Sequence, residues 1–212
     1  MEPTEPNLRA WEEAHRRRAE PKPGRPGLPD QVAHALGELT GKRVLHLGCG
    51  TGEGTAALAE RGAVATGVDV YSEALDAARE RWPSILWVEA DPQALPNELL
   101  RGRFDLVYSG GGGLAEVSDL EGWARGIASA LRPRGELLVF DEHPVAARVD
   151  TLMRWHHDYF EGAPRLGQVV TALARAGLAV RALEEYPAMP GNPLRHDRRV
   201  PGEFLLYAAR QD

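Results

Sequence analysis

Cysteine is nearly absent from this chain, since Cys49 is the single cysteine among 212 residues. One thiol excludes an intramolecular disulfide framework and also excludes a zinc site built from several thiolates. A lone cysteine is typical of proteins kept in a reducing compartment, so we expect the protein to be cytoplasmic.

Long apolar runs are also lacking. No stretch of the sequence approaches the ~20 consecutive apolar residues that a membrane-spanning helix needs. The N-terminal segment, residues 1–18, is rich in charged residues and does not contain the apolar core of a secretory signal. We therefore expect neither a membrane anchor nor a membrane partner.

An excess of positive charge is missing as well, since the formal net charge is -6 at pH 7. The chain as a whole does not attract a phosphate backbone, and we expect no nucleic acid partner. Two short arginine clusters, at residues 16–18 and 195–199, are flanked or interrupted by acids or prolines, which favours solvated surface. With 43% hydrophobic and 26% charged residues, the composition is that of a globular protein with a sizeable core.

Residues 19–29 concentrate proline and glycine and divide the chain into two parts. We predict a helical N-terminal arm with its linker over residues 1–28 and a single domain over residues 29–212. Trp11 and His15 lie one helical turn apart in the predicted arm. The arm has two open roles. It can cover a bound ligand, or it can pack on the sheet edge or on a partner subunit.

From Arg43 onward, short apolar runs alternate with amphipathic segments, which is typical of β-α-β units. The apolar runs are VLHL, AVATGVDV, ILWVEA, FDLVYS, ELLVFD, LAVRALEE and EFLLYAAR. Most are continuously apolar, as expected of parallel strands covered by helices on both faces. The last two are joined without a helical segment, so they should pair antiparallel. We predict an α/β fold: a doubly wound, Rossmann-like, seven-stranded sheet, mostly parallel with an antiparallel last strand, and helices on both faces.

Three glycines at alternate positions, Gly48, Gly50 and Gly52, follow the first predicted strand and precede a helix. Glycine lets the backbone turn tightly and approach a ligand, and the following helix N-terminus favours electron-rich groups, which predicts a nucleotide-like ligand. Dinucleotide sites use G-x-G-x-x-G, but Glu53 stands where the third glycine of that pattern belongs and would repel a pyrophosphate. S-adenosylmethionine has no phosphate, so the tighter spacing suits it better.

Asp69 ends the second predicted strand, about 20 residues after the first glycine. A carboxylate at this point can accept hydrogen bonds from both hydroxyls of a ribose. Both adenosine ligands need such an acid, so Asp69 supports a nucleoside site without choosing between the two.

In this order, the segments resemble the class I S-adenosylmethionine-dependent methyltransferases over nearly all of residues 28–210. VLHLGCGTG is similar to the family's first motif, EADPQALP to the motif of the third strand, and FDLVYSGGG to that of the fourth. The resemblance implies S-adenosylmethionine as cofactor, S-adenosylhomocysteine as product, and a contact between Asp91 and the adenine amino group. The cofactor-binding residues that it implies are His46, Gly48, Cys49, Gly50, Gly52, Asp69, Val70, Asp91, Pro92, Ser109 and Gly110. His46 departs from the family, which usually has an acid at this position.

Polar residues after the fourth and fifth strands, among them Tyr108, Asp141 and His143, are candidates for the chemistry. Methyl transfer displaces an activated sulfonium, so positioning supplies much of the catalysis and a base is needed only for a protonated acceptor. We name His143 as the candidate base. The alternative, that this histidine before Pro144 only caps the end of the strand, is equally open.

The predicted function is transfer of a methyl group from S-adenosylmethionine to a small-molecule acceptor. No Asn-Pro-Pro-Tyr motif of nucleic-acid methyltransferases follows the fourth strand. The alternative is a non-catalytic S-adenosylmethionine-binding or regulatory protein, which the departure at His46 and the lack of a diagnostic acceptor motif favour. A nucleotide-dependent oxidoreductase is disfavoured by the glycine spacing.

Two further segments have open interpretations. The four glycines at residues 110–113 form either an open floor beneath the transferred methyl group or a flexible loop. The aromatic side chains of residues 154–160 can grip an acceptor, but we favour a lid helix whose Trp155 and Tyr159 lie one turn apart and pack on the sheet. No metal site is predicted, since the adjacent histidines at 156 and 157 diverge by about 100° on a helix.

Overall fold

The computed structural model describes residues 27–150, 154–162, 164–187 and 199–212. The predicted helical arm and most of the second arginine cluster lie outside these residues.

Seven strands form a single sheet in the described residues, in the order β3-β2-β1-β4-β5-β7-β6. They are β1 (Arg43–Leu47), β2 (Val64–Asp69), β3 (Leu86–Glu89), β4 (Phe104–Gly110), β5 (Leu131–Glu142), β6 (Leu178–Tyr186) and β7 (Glu203–Arg210). The strands β1 to β5 pair parallel with one another. The last strand, β7, runs antiparallel to both of its neighbours, β5 and β6.

Helices cover both faces of this sheet. They are α1 (Asp30–Ala35), α2 (Glu53–Glu60), α3 (Ser72–Arg81), α4 (Leu120–Ala130) and α5 (Leu166–Arg175), and 3-10 turns span Leu114–Glu116 and Ala146–Arg148. Trp123 of α4 and Leu173 of α5 belong to the core on one face, whereas Val32 of α1 and Leu58 of α2 belong to the core on the other. The predicted fold class is therefore confirmed. None of the helices described is long and apolar enough to span a bilayer.

The strands are continuously apolar because successive side chains meet helices on opposite faces. On β1, Val44 joins the core of α1 and α2, and its neighbour Leu45 joins the core of α4 and α5. Both side chains are fully buried. At about 25 cal/mol per Å² of apolar surface, such burial stabilises the sheet from both sides. The carboxyl ends of the parallel strands are then free to carry loops with polar residues at one edge.

The prediction of a lid helix over residues 154–160 is wrong, because this segment contains no helix. The carboxylate of Asp150 accepts hydrogen bonds from the main-chain amide of Arg154 at 2.9 Å and from its guanidinium at 2.7 Å. Trp155 then pairs with Val149 in an isolated antiparallel bridge. The chain reverses direction here instead of forming a helix. The side chains of Trp155 and Phe160 are 60% and 73% exposed.

Candidate functional site

The glycine turn between β1 and α2 has the backbone that its sequence predicts. Gly48, Gly50 and Gly52 have φ values of +69°, +52° and +92°, a region in which residues with a Cβ are strained. Trp87 of β3 adds a second constraint, because a Cβ on Gly52 would lie 2.6 Å from its ring. Glycine is therefore required at Gly52 by both backbone conformation and space.

The carboxylate of Asp69 fixes the conformation of this turn. Its side chain is fully buried at the end of β2. One carboxylate oxygen accepts a hydrogen bond from the Gly50 amide at 2.7 Å, and the other accepts one from the Tyr71 amide at 3.0 Å. The same acid thus shapes the glycine turn and lies at the point where a ribose is expected.

A cleft opens next to the glycine turn, at the carboxyl ends of the parallel strands. Its lining residues are Leu47, Gly48, Val70, Asp91, Pro92, Gln93, Ser109, Gly113, Glu116, Val117 and Trp123. Five residues predicted from the sequence lie here, namely Gly48, Val70, Asp91, Pro92 and Ser109. Segments that are far apart in the sequence meet at this one cavity.

The chemical character of the cleft is apolar and acidic. Leu47, Val117 and Trp123 supply apolar surface, and Asp91 and Glu116 supply carboxylates. No lysine or arginine of the described residues is among those that line it. This balance suits a neutral or cationic organic ligand and opposes a phosphate.

The other predicted cofactor residues surround the cleft without lining it. They are His46, Cys49, Gly50, Gly52, Asp69 and Gly110. Gly110 lies directly across from the glycine turn, since a Cβ on Gly48 would be 3.8 Å from the Gly110 carbonyl oxygen. Space for a Cβ is also missing at Gly110 itself, where it would lie 2.6 Å from the Tyr108 hydroxyl.

His46 is a buried, neutral side chain. Its Nδ1 lies 2.7 Å from the Thr55 hydroxyl of α2, and its ring stacks on Tyr108 with the centroids 4.7 Å apart. Burial lowers the pKa of His46 to about 3. The imidazole therefore brings no charge to the glycine turn at neutral pH, and its visible role is to join β1 to α2.

Cys49 contributes its backbone to the turn, while its side chain is buried on the far side. The thiol packs in a small core with Leu75, Ala78 and Trp87. Burial, with the nearby charge of Asp69, raises the pKa of the Cys49 thiol well above its usual range. The thiol is therefore protonated and unreactive at neutral pH.

His143, the candidate base, lies just after β5 and outside the cleft lining. Its Nδ1 accepts a hydrogen bond from the Val145 amide at 3.1 Å, so Nε2 carries the proton. Nε2 lies 2.9 Å from Oε1 of Glu185, without the alignment of a hydrogen bond. Burial lowers the pKa of His143, and Glu185 opposes this shift. In this orientation neither nitrogen presents a lone pair to the cleft. This arrangement fits the alternative interpretation, in which His143 only caps the end of the strand.

The glycine segment after β4 is fixed at its far end by a buried acid. The Leu114 amide donates a hydrogen bond of 3.0 Å to the carboxylate of Asp141, which is 3% exposed at the end of β5. Gly111 and Gly112 have φ values of +81° and +91°, and Gly113 lines the cleft. Part of this segment therefore forms a wall of the cavity.

Comparison with known proteins agrees with this geometry. Residues 44–135, which run from β1 into β5, match the methyltransferase domain family. The family match and the structural neighbours support the class I S-adenosylmethionine-dependent methyltransferase family for this chain. The resemblance inferred from the sequence motifs is confirmed.

Known methyltransferases share either the fold or part of the sequence. An S-adenosylmethionine-dependent methyltransferase from Mesorhizobium loti superposes with a TM-score of 0.71 at 25% identity, over 85% of this chain and 96% of that protein. An uncharacterized methyltransferase from Synechocystis is 33% identical over 49% of this chain and 48% of its own length. A demethylmenaquinone methyltransferase from Tropheryma whipplei is 32% identical over 51% of this chain and 46% of its own length. The matched region spans about half the length of these two curated relatives.

Six lining residues of this cleft were not predicted as site residues, namely Leu47, Gln93, Gly113, Glu116, Val117 and Trp123. Trp123 lies on the apolar stripe of α4, a pattern that predicts burial without predicting a contact with a ligand. Gln93 lies in the loop after β3 and Glu116 ends a short 3-10 turn, and in neither place does the local sequence carry a periodic signal.

Across the ranges that the structure covers, no three side chains of histidine, cysteine, aspartate or glutamate come together as metal ligands.

Proposed function

We propose that this chain binds S-adenosylmethionine and transfers its methyl group to a small-molecule acceptor, releasing S-adenosylhomocysteine. The observation that carries the proposal is the cleft itself. It gathers the glycine turn at Gly48, the acid Asp91 and Ser109 of β4 at one edge of a methyltransferase sheet. We also propose a cytoplasmic location, because the lone Cys49 is a free thiol.

The charge around the cleft supports a sulfonium nucleoside over a phosphate-bearing one. Asp91 and Glu116 face the cavity, and the described lining residues include no cation. Glu53, at the first turn of α2, accepts a hydrogen bond of 2.6 Å from the Thr51 hydroxyl and pairs with Arg81. A pyrophosphate at this helix would meet a carboxylate, whereas a zwitterionic ligand with a positive sulfonium meets complementary charge.

Different residues of the site contact different parts of the cofactor, according to their chemistry. Leu47, Val70 and Pro92 offer apolar contact area for a purine ring. Asp91 accepts from the adenine amino group, and Asp69 holds the turn beside the ribose. The cofactor supplies an activated methyl group, so the task left to this site is to orient an acceptor in line with it.

The acceptor that we place first is a quinone-class aromatic compound with a free ring position or hydroxyl. The relative from Tropheryma whipplei is named for demethylmenaquinone. A nucleic acid acceptor is disfavoured, because the chain carries a net charge of -6 and its cleft is acidic.

Calorimetric titration with S-adenosylmethionine and S-adenosylhomocysteine tests the cofactor. The sharpest variant is Asp91→Asn, which keeps the acceptor oxygen of the 2.8 Å bond from the Gln93 amide but can turn a donor toward the adenine amino group. We expect Asp91→Asn to bind both ligands roughly tenfold or more weakly than wild type does. Asp158→Asn is the matched control, because Asp158 makes the same turn with the Phe160 amide at 2.8 Å in an exposed loop.

Turnover is then measured as release of S-adenosylhomocysteine with a panel of small-molecule acceptors that includes quinone-class aromatic compounds. If wild type forms product and Asp91→Asn does not, the result supports methyltransferase activity at this cleft. Binding of the cofactor without turnover on any acceptor favours the non-catalytic alternative. If wild type binds neither ligand, the chain has a methyltransferase fold without the cofactor site, and the proposal is lost.

A further inference from the structure

Gln93 connects two walls of the cleft through the two ends of its side-chain amide. The oxygen accepts hydrogen bonds from the Ser118 amide at 2.8 Å, the Ser118 hydroxyl at 3.1 Å and the Asp119 amide at 2.6 Å. The nitrogen donates to Oδ1 of Asp91 at 3.3 Å. The main-chain amide of Gln93 donates to the same Asp91 oxygen at 2.8 Å. One side chain thus joins the loop after β3 to the start of α4.

The wall at α4 is held closely against this loop. Asp119 is the N-cap of α4 and accepts from the Gly122 amide at 2.8 Å. A Cβ on Gly122 would lie 3.2 Å from the carbonyl oxygen of Gln93, so the loop rests on the first turn of the helix. The segment before Asp119, which carries Glu116, is therefore fixed relative to the β3 loop.

The wall at Asp91 is fixed by the same residue. Two donors from Gln93 converge on a single oxygen of the Asp91 carboxylate, and this side chain is 5% exposed. Convergent donors set the rotation of a carboxylate, and Asp91 is among the residues that line the cavity. A purine with a 6-amino group donates to such an acceptor, whereas a 6-oxo purine presents an oxygen to it.

We propose that Gln93 is a positioning residue, which orients the Asp91 carboxylate so that the cleft prefers adenine nucleosides to 6-oxo purine nucleosides. The inference rests on the proposed function, since it concerns the same nucleoside cleft. It goes further by assigning the base preference to a residue that acts through another.

Two substitutions separate the two ends of the Gln93 amide. Gln93→Glu keeps an acceptor for the Ser118 and Asp119 amides at the N-terminus of α4, where negative charge is favourable. It removes the side-chain donor to Asp91, leaves the main-chain donor of residue 93 in place, and adds a second carboxylate beside Asp91. Gln93→Ala removes both ends.

Gln168→Glu is the matched control for the added charge. The side-chain oxygen of Gln168 accepts from the Arg165 amide at 3.1 Å in the first turn of α5, outside the cleft lining. The chemical change is therefore the same, and both side-chain oxygens accept from an amide at a helix N-terminus, but Gln168 does not contact Asp91. We expect this variant to bind ligand as wild type does.

The first readout is the ratio of affinities for S-adenosylhomocysteine and its 6-oxo analogue, S-inosylhomocysteine, from calorimetry. Wild type should prefer the amino compound by roughly tenfold or more, as expected of a site with a fixed hydrogen-bond acceptor. Gln93→Glu should lose most of this preference while keeping its melting temperature. A residue with a merely structural role would move both affinities together.

The second readout needs no ligand. Hydrogen exchange at the Ser118 and Asp119 amides should become faster in Gln93→Ala and stay slow in Gln93→Glu. Unchanged exchange in Gln93→Ala would overturn the inference, because the wall would then be held without Gln93.

The outcomes keep the inference apart from the proposed function. A wild-type preference that persists in Gln93→Glu overturns the inference and leaves cofactor binding intact. A wild-type protein that binds neither nucleoside removes the proposed function, and the role of Gln93 in base preference is lost with it. A preference lost in Gln93→Glu and kept in Gln168→Glu supports both.

Discussion

The Gly50 amide donates a 2.7 Å hydrogen bond to the carboxylate of Asp69, nineteen positions further along the chain. The other oxygen of that carboxylate accepts from the Tyr71 amide at 3.0 Å. One buried acid thus ties the turn after β1 to the turn after β2. The glycines permit the turn, but Asp69 selects the conformation that it takes.

Replacing Asp69 should therefore destabilise the protein whether or not a ligand is present. Asp69→Asn turns an amide donor toward the main-chain donors of Gly50 or Tyr71, and we expect a loss of about 2 kcal/mol or more in the free energy of unfolding. Urea denaturation measures it. Asp76→Asn is the control, since Asp76 is exposed and pairs with Arg79, and it should change stability by about 0.5 kcal/mol at most. Equal effects of the two substitutions would refute the role assigned to Asp69.

The turn also predicts that its glycines are not equivalent. A Cβ on Gly52 would lie 2.6 Å from Trp87, whereas nothing lies within 4 Å of a Cβ on Gly50. Both residues have positive φ, so alanine at either position costs about 1–2 kcal/mol in backbone strain. Gly52→Ala should cost a further 1–3 kcal/mol, roughly, because the Trp87 ring must move. Denaturant unfolding of the two variants compares them, and equal losses would show that Trp87 gives way freely.

The fold was predictable because its signals are local. The run of residues 137–140 in β5 is apolar at every position, and the structure buries it on both faces. Asp69 ends β2, a strand that is predicted from its mostly apolar run, so its place at a carboxyl edge also follows from the pattern. The spacing of Trp155 and Tyr159 looked equally local, but the Asp150 contacts with Arg154 turn the chain away from a helix.

The cleft was predictable only on the side built by strand ends. Gly48 and Asp91 follow apolar runs, so sequence alone places them near the site. The opposite wall is set by contacts between distant segments, such as the 2.6 Å bond from the Asp119 amide to Gln93. His143 has the same limit, because its position after β5 is local but its ring direction is set by the Val145 amide.

Cys49 should be inert in the folded protein. Its thiol is buried, and burial together with the charge of Asp69 raises its pKa well above the usual range. Because the thiolate is the reacting species, we expect a thiol reagent at pH 8 to modify the native protein about tenfold or more slowly than the chain in denaturing urea. Absorbance of the released chromophore follows the reaction. Equal rates in the two conditions would show that the thiol is exposed.

His46 should make stability depend on pH in a known direction. Its pKa is about 3 in the folded protein, because of burial, against 6.5 in the unfolded chain. Below pH 6.5 the unfolded chain therefore binds a proton that the folded protein does not, and stability falls as the pH falls. Between pH 7 and pH 5 this loss is on the order of 2 kcal/mol. His46→Gln removes the titrating group, so its free energy of unfolding should vary less with pH over this range, whatever its absolute value. His34→Gln, at an exposed position of α1, should keep the wild-type slope in urea titrations at each pH. A His46→Gln slope equal to that of wild type would mean that His46 is not buried in its neutral form.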